Sequence, residues 1–264
     1  MSKINIAFGV TNDWINYTFV TICSILSNSN KSNNYKFYIM SDIKEDEFYQ
    51  SFNEIIQKLN NIQPSEYVYI KINNSDFADV VHDKRVGISA YYRLKLSSLV
   101  KEDKIIYLDS DLIVLDDIAN LWDYDIKNYL LAGVEDKYSD IMKDKSELYK
   151  DEIYINSGVL LINLERFQEN NIENLIFQKL KEENNDYSDQ DVLNNICKGQ
   201  ILYLPLKYNL MLTCNDNMAF PTRKDEYEQS LKNPMILHYS IKPWILPVQY
   251  SEYWRKYAEK IQSL

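Results

Sequence analysis

The sequence predicts an α/β fold with a mostly parallel central sheet, and three observations carry that expectation. Apolar runs of strand length alternate with amphipathic helical stripes through the first third of the chain. Several of those runs are nearly continuous rather than alternating, the pattern of strands covered on both faces. The chain has 264 residues and is 45% hydrophobic, enough to bury a full core. No Pro/Gly/Ser-rich linker, repeat or low-complexity block divides it, so residues 1–264 read as one domain.

Residues 4–10 form the first apolar run. Apolar residues then fall at Ile15, Phe19, Ile22 and Leu26, the spacing of a helix face. Residues 36–40 are a second strand, and Phe48, Phe52, Ile55, Ile56 and Leu59 mark a second helical stripe. Residues 66–72 alternate at the period of a third strand. Strand-helix-strand-helix-strand implies right-handed crossovers and a ligand site beyond the C-terminal strand ends. Two further apolar runs, residues 104–108 and 112–115, flank Asp109-Ser110-Asp111. Residues 153–162 are apolar except at Asn156-Ser157-Gly158, and residues 235–239 end an apolar strand on His238-Tyr239. Ser188 can cap a helix whose first turn holds Asp189 and Asp191, and residues 250–264 read as a helix packing onto the domain. The polar stretch 136–152 reads as an excursion or lid.

A net charge of −10 and a pI near 4.8 argue against general affinity for nucleic acid or anionic lipid. An anionic substrate then needs a local cation. Cys23, Cys197 and Cys214 lack ligand spacing and are odd in number, which reads as reduced thiols in a cytosol. No segment has signal-peptide character or an apolar stretch near about 18 residues. The expectation is a soluble cytoplasmic protein, with at most peripheral contact at the inner face of the membrane.

Asp-x-Asp pairs occur three times, about what this composition gives by chance, so context selects among them. Asp109 and Asp111 close a buried strand, where like-charge repulsion is tolerated mainly when a cation neutralises it. His238 ends another apolar strand; alone it reads more readily as a hydrogen-bonded core residue than as a ligand. Together, Asp109, Asp111 and His238 form an oxygen and nitrogen set that suits Mn²⁺ better than Ca²⁺, with Mg²⁺ the other candidate. Asn156-Ser157-Gly158 reads equally as a bulge or as a polar site element, its Gly permitting close approach. A helix cap explains Asp189 and Asp191 but not Gln190. Lys242-Pro243-Trp244 sets a cation beside an aromatic plate.

Taken together, the segments at 8–14, 89–96, 106–111, 121–123, 156–163 and 189–191, with His238-Tyr239 and Lys242-Pro243-Trp244, resemble glycosyltransferase family 8 in order and approximate spacing. That is a family of retaining enzymes including lipooligosaccharide galactosyltransferases and glycogenin. The resemblance implies a GT-A fold, a Rossmann-like sheet with a smaller acceptor-facing part. It implies transfer of galactose or glucose from a UDP-hexose to an oligosaccharide, lipid-linked or protein acceptor, with Asp109, Asp111 and His238 as Mn²⁺ ligands. Phe8, Thr11, Asn12 and Ser110 then belong to the donor site, Arg93 and Lys242 contact donor sugar and diphosphate, and Asp136 is a sugar-hydroxyl candidate. Asn156, Asp189 and Gln190 surround the anomeric carbon. Only Ser240-Ile241 separate His238-Tyr239 from Lys242, where the family commonly has a Gly and about two more residues, which removes a backbone phosphate contact. Two other readings stand beside this one. A sugar-phosphate nucleotidyltransferase needs a Gly-rich turn after the first strand, and here that turn is Val10-Thr11-Asn12-Asp13-Trp14. A catalytically inactive carbohydrate-binding relative is distinguished by UDP release.

Overall fold

A computed structural model of the chain describes residues 3–80, 87–140, 142, 152–182, 188–212, 220 and 223–264. His82, Cys214 and most of the expected excursion at 136–152 lie outside them. The first five elements follow the expected alternation: β1 (Lys3–Val10), α1 (Ile15–Asn28), β2 (Asn34–Ser41), α2 (Glu45–Ile62) and β3 (Ser65–Lys71). β4 (Lys104–Leu108) and β5 (Leu112–Val114) enclose Asp109-Ser110-Asp111, and β6 (Leu131–Glu135) and β7 (Ile155–Asn163) follow. β8 (Ile201–Leu204), β9 (Leu210–Leu212) and β10 (Ile236–Tyr239) complete the strands among the described residues. The last helix, Ser251–Ser263, packs on α1 and α2.

The strands form two sheets. The larger has seven strands in the order β3-β2-β1-β4-β7-β6-β8. Its pairs are parallel except where β7 runs antiparallel to β4 and β6. β7 therefore lies between two strands with both faces covered, which is why its apolar run is long; Val159, Leu160 and Leu161 are fully buried. The smaller sheet, β5-β10-β9, takes β5 and β10, which sequence alone had not separated from the main sheet. Asp109-Ser110-Asp111 thus spans the step from one sheet to the other.

Helix α1 holds that step in place. β10 covers one edge of β5, and a polar stripe on α1 covers the other. The Thr21 hydroxyl donates to the carbonyls of Ser110 (3.1 Å) and Leu112 (2.8 Å). The Val114 N–H donates to Ser24 Oγ (2.9 Å), and the Asn28 amide donates to the Val114 carbonyl (2.8 Å). Thr18 Oγ1 shares a hydrogen with Ser110 Oγ at 2.8 Å. These side chains satisfy backbone groups that a neighbouring strand otherwise pairs.

The β6–β7 ladder breaks where β7 outruns β4. Gly133 pairs with Leu160 but Val134 pairs with Asn156, so three residues, 157–159, are looped out of the β6 register. The helix Asp189–Ile196 compensates. It starts at Ser188 with the expected cap, a reciprocal box with Asp191. Asn194 on its buried face accepts from the Ile155 N–H and donates to the Ile155 carbonyl, both at 2.8 Å. Asn194→Ala leaves both groups buried and unpaired. It is expected to lower the unfolding free energy by about 2–4 kcal/mol, read from urea melts, since each orphaned group costs about 1–3 kcal/mol.

Candidate active site

A cavity of about 900 Å³ opens at the C-terminal ends of β1 and β4, where a parallel sheet places ligands. Asp109, Ser110, Asp111, Arg93, Asp136, Asn156, Asp189, Gln190, His238 and Lys242 all line it. Phe8, Thr11 and Asn12 do not. The Phe8 ring is buried in the core beneath β1, and that turn reaches the cavity through Gly9 and Trp14 instead.

Asp109, Asp111 and His238 each offer one ligand atom, and these atoms lie within 4.8 Å of one another. His238 arrives from the smaller sheet and Asp109 from the larger, so only the closed fold assembles the trio. His238 Nε2 stands 3.4 Å from Asp111 Oδ1, a buried oxygen without a hydrogen-bond partner. A buried carboxylate oxygen with no hydrogen donor of the protein on it is suited to ligate a cation. The other oxygen, Oδ2, accepts from Lys242, whose ammonium also donates to the Tyr239 carbonyl (3.0 Å). The shortened loop after His238-Tyr239 therefore still brings Lys242 to the cavity. Burial pushes the Asp111 carboxyl upward, but His238 and Lys242 outweigh it and hold the group well below the usual carboxylate range. These residues fit a divalent cation.

Gly158 makes room for this arrangement. A Cβ at that position would stand 2.5 Å from His238 Cε1 and 2.7 Å from Asp109 Oδ2. Its carbonyl accepts from the Asp109 N–H at 2.9 Å, so the looped-out segment of β7 lies directly against the first aspartate. Both sequence readings of Asn156-Ser157-Gly158 thus hold at once: it interrupts a ladder, and it lines the site.

Arg93 sits in the 3-10 segment Ile88–Lys95 and is 5% exposed. Its guanidinium donates to Asp109 Oδ1 (2.8 Å), to the Ala90 carbonyl (2.8 Å) and to the Ser157 carbonyl, and lies 3.3 Å from Asp189 Oδ2. The Tyr107 ring stacks 4.3 Å below it. Burial alone would ease its deprotonation, but Asp109, Tyr107 and Asp189 hold the proton more tightly than water does. The guanidinium expected to meet phosphate is largely committed to the protein's own acids.

Beyond Arg93 lies an amide cluster. Gln190 Oε1 accepts from the Ser157 N–H (3.0 Å) and Asn156 Nδ2 (3.1 Å), and Gln190 Nε2 donates to Asp136 Oδ2 (3.1 Å). Asp189 is 3% exposed and accepts from the Ser157 hydroxyl at 3.0 Å. Burial raises its proton affinity, with Arg93 offsetting part of the rise. Among the described residues, five aspartates and two cationic side chains line the cavity, a balance that favours an added cation beside an anionic ligand. Sequence reading missed Tyr107, Tyr154 and Asn209 here. Asn209 had one usable signal, a polar residue directly before the apolar run Leu210-Met211-Leu212.

A sequence profile described as Glycosyl transferase family 8 matches residues 5–245. Among curated relatives, a Haemophilus influenzae protein bearing the name of a glycosyltransferase is 33% identical over 223 residues, covering 81% of this chain and 65% of that protein. The lipopolysaccharide 1,2-glucosyltransferase of Escherichia coli K12 is 28% identical over 250 residues, covering 91% of this chain and 72% of that enzyme. The chain thus spans just under two thirds of the first relative's length and somewhat more of the second's. A structure of an active-site mutant of LgtC superposes with a TM-score of 0.82 at 24% identity, covering 97% of this chain and 95% of that one. At that identity the likeness establishes the fold, which is of the GT-A type.

The tight packing over Gly158 gives a direct test. Gly158→Ala is expected to weaken Mn²⁺ binding by about 10–100-fold, the scale for disturbing groups that support a metal ligand. The urea midpoint should move little, because the added methyl meets site side chains rather than the core. Electron paramagnetic resonance of free Mn²⁺ in a titration reads the affinity.

Proposed function

The chain belongs to glycosyltransferase family 8, and from that premise we propose that it transfers galactose or glucose from a UDP-sugar to a hydroxyl acceptor, with Mn²⁺, retaining the anomeric configuration. The observation that carries this is the convergence of Asp109, Asp111 and His238 with an orphaned Asp111 oxygen, in a cavity whose described lining carries more acids than cations. The E. coli relative's name supports a lipopolysaccharide or other surface glycan as acceptor. No helix among the described residues is long and apolar enough to cross a membrane.

Asp109, Asp111 and His238 would hold the ion, and a bound Mn²⁺ supplies Lewis-acid stabilisation to the leaving diphosphate. The Lys242 ammonium, anchored by Asp111 and the Tyr239 carbonyl, offers the phosphates a fixed positive charge. Asn156, Gln190 and Asp136 form one hydrogen-bonded wall that orients the sugar. The Gln190 oxygen already accepts from Ser157 and Asn156, so its role is to orient rather than to stabilise positive charge. Double displacement requires a free carboxylate under the anomeric carbon. Asp189 is engaged by Ser157 and Arg93 and is not free to swing under the anomeric carbon. That supports same-face attack, with a departing phosphate oxygen taking the acceptor's proton.

UDP release from UDP-galactose and UDP-glucose, with and without Mn²⁺, tests the assignment. EDTA should abolish release, and Asp109→Asn or Asp111→Asn should slow turnover at least about a hundredfold with an unchanged circular dichroism spectrum. Full activity in EDTA would sink the metal-dependent reading. Product NMR should show an α anomeric proton, and intact-protein mass spectrometry should find no hexose adduct. An adduct on Asp189 would establish double displacement instead.

A further inference from the structure

Asn209 ends the short turn Leu206–Asn209 before β9 and is 1% exposed. Its side chain lies between residues from two different sheets. Nδ2 donates to Asn156 Oδ1 at 2.8 Å, and Oδ1 meets His238 Nδ1 at 2.9 Å. The orientations of these amides are determined by the backbone. A main-chain N–H can only donate, and that of Gly158 reaches Asn156 at 3.0 Å, so the Asn156 atom there is the oxygen. That oxygen can only accept from Asn209. The Asn209 atom facing Asn156 is therefore the nitrogen, and the one facing His238 is an acceptor. His238 Nδ1 must then carry a hydrogen.

In a neutral imidazole protonated at Nδ1, the lone pair sits on Nε2. Nε2 is the nitrogen 3.4 Å from Asp111 Oδ1, the acceptor with no hydrogen-bond partner. Two bare acceptors facing each other in a buried site repel unless a proton or a metal cation joins them, so the neutral ring leaves that place to the metal. The same chain runs the other way, because Asn156 Nδ2 donates to Gln190 Oε1 at 3.1 Å. One N–H of β7 thus sets, through two amides, which nitrogen of His238 is bare.

We propose that Asn209 is a positioning residue that locks His238 in the Nδ1–H tautomer and so presents Nε2 to a divalent cation, while Asn156 couples that tautomer to the Gln190 amide at the sugar end of the cavity. Its part in the reaction rests on the metal-dependent transfer proposed above. Its readout does not. A hydrogen-bond acceptor on the far nitrogen fixes both the tautomer and the orientation of a ligating imidazole.

The chain has two histidines, so ring ¹⁵N NMR of the metal-free protein resolves the question, with His82→Gln assigning the signals. Wild-type His238 should appear as Nδ1–H. Asn209→Leu, which removes the acceptor, should shift His238 toward Nε2–H and weaken binding of Mn²⁺ alone by about 10–100-fold. Asn209→Asp keeps an acceptor opposite Nδ1 but loses the donor to Asn156, so it should preserve the tautomer and retain more Mn²⁺ affinity than the Leu variant. A neutral wild-type ring, read at alkaline pH, with its hydrogen on Nε2 instead of Nδ1 would overturn the proposal. So would Asn209→Leu matching wild type in tautomer and affinity, or both variants losing Mn²⁺ in step with their Tm. If the Leu variant does not fold, the wild-type spectrum and the Asp variant decide. None of these measurements uses a sugar nucleotide, so a protein that behaves as stated yet transfers no hexose contradicts the proposed function and leaves the tautomer assignment standing.

Discussion

The site depends on one buried cation. Arg93 brings Asp109, at the end of β4, and Asp189, at the start of a helix far along the chain, against a single guanidinium. It also donates to the Ser157 carbonyl in the looped-out part of β7, so strand, bulge and helix are fixed to one planar fork. Planarity matters here: a lysine's point charge cannot address three directions in one plane. A buried pair of this kind adds little net stability against an apolar replacement. Breaking it, however, leaves uncompensated buried charge at about 3–5 kcal/mol. Its value is geometric, because it sets the position of the first carboxylate of the Asp109-Asp111-His238 trio without occupying both oxygens.

Much of this was legible in the sequence, and the legible parts share a cause. β1 through β3 and their helices announce themselves because each buries one face or both, and burial writes a period into the chain. Asp109, Asp111, His238 and Asn156 were findable because each is polar where an apolar run ends or breaks. Gln190 stood out because a helix cap accounts for its two neighbours and not for it. The remainder was hidden for an equally physical reason. Arg93 is an obvious cation, but sequence cannot say whether its neighbours are a ligand's phosphates or the protein's own Asp109 and Asp189. Phe8, Thr11 and Asn12 sit at the correct strand end, yet the strand's alternation turns the Phe8 ring into the core. Asn209 became visible only when its two partners, distant in sequence, were seen on either side of it.

The two halves of the cavity differ in how they are held. Around Asp111 the neighbours are the Lys242 ammonium, which pairs with one carboxylate oxygen, and the His238 ring, which faces the other. Around Gln190 they are side-chain amides, with Gln190 and Asn156 both donating to the Asp136 carboxylate. Amides anchored on one carboxylate hold a fixed orientation, which suits the sugar-orienting role proposed for them. The charged groups lie at the end proposed to take the diphosphate. Asn209 and Asn156 are where the two regimes meet.

The hydroxyl and amide stripe on α1 has a consequence for how such a site can change. An exposed strand edge next to a binding site invites pairing with another chain, and a covering strand would forbid adjustment, since its backbone spacing is invariant. Here Thr18, Thr21, Ser24 and Asn28 cover the β5 edge with side chains, which can be exchanged one at a time. Small substitutions along one face of a helix can therefore move the Asp109–Asp111 segment by fractions of an ångström while the carboxylates themselves stay the same, giving the fold a fine adjustment of the Asp-Asp-His trio that sits entirely outside the cavity.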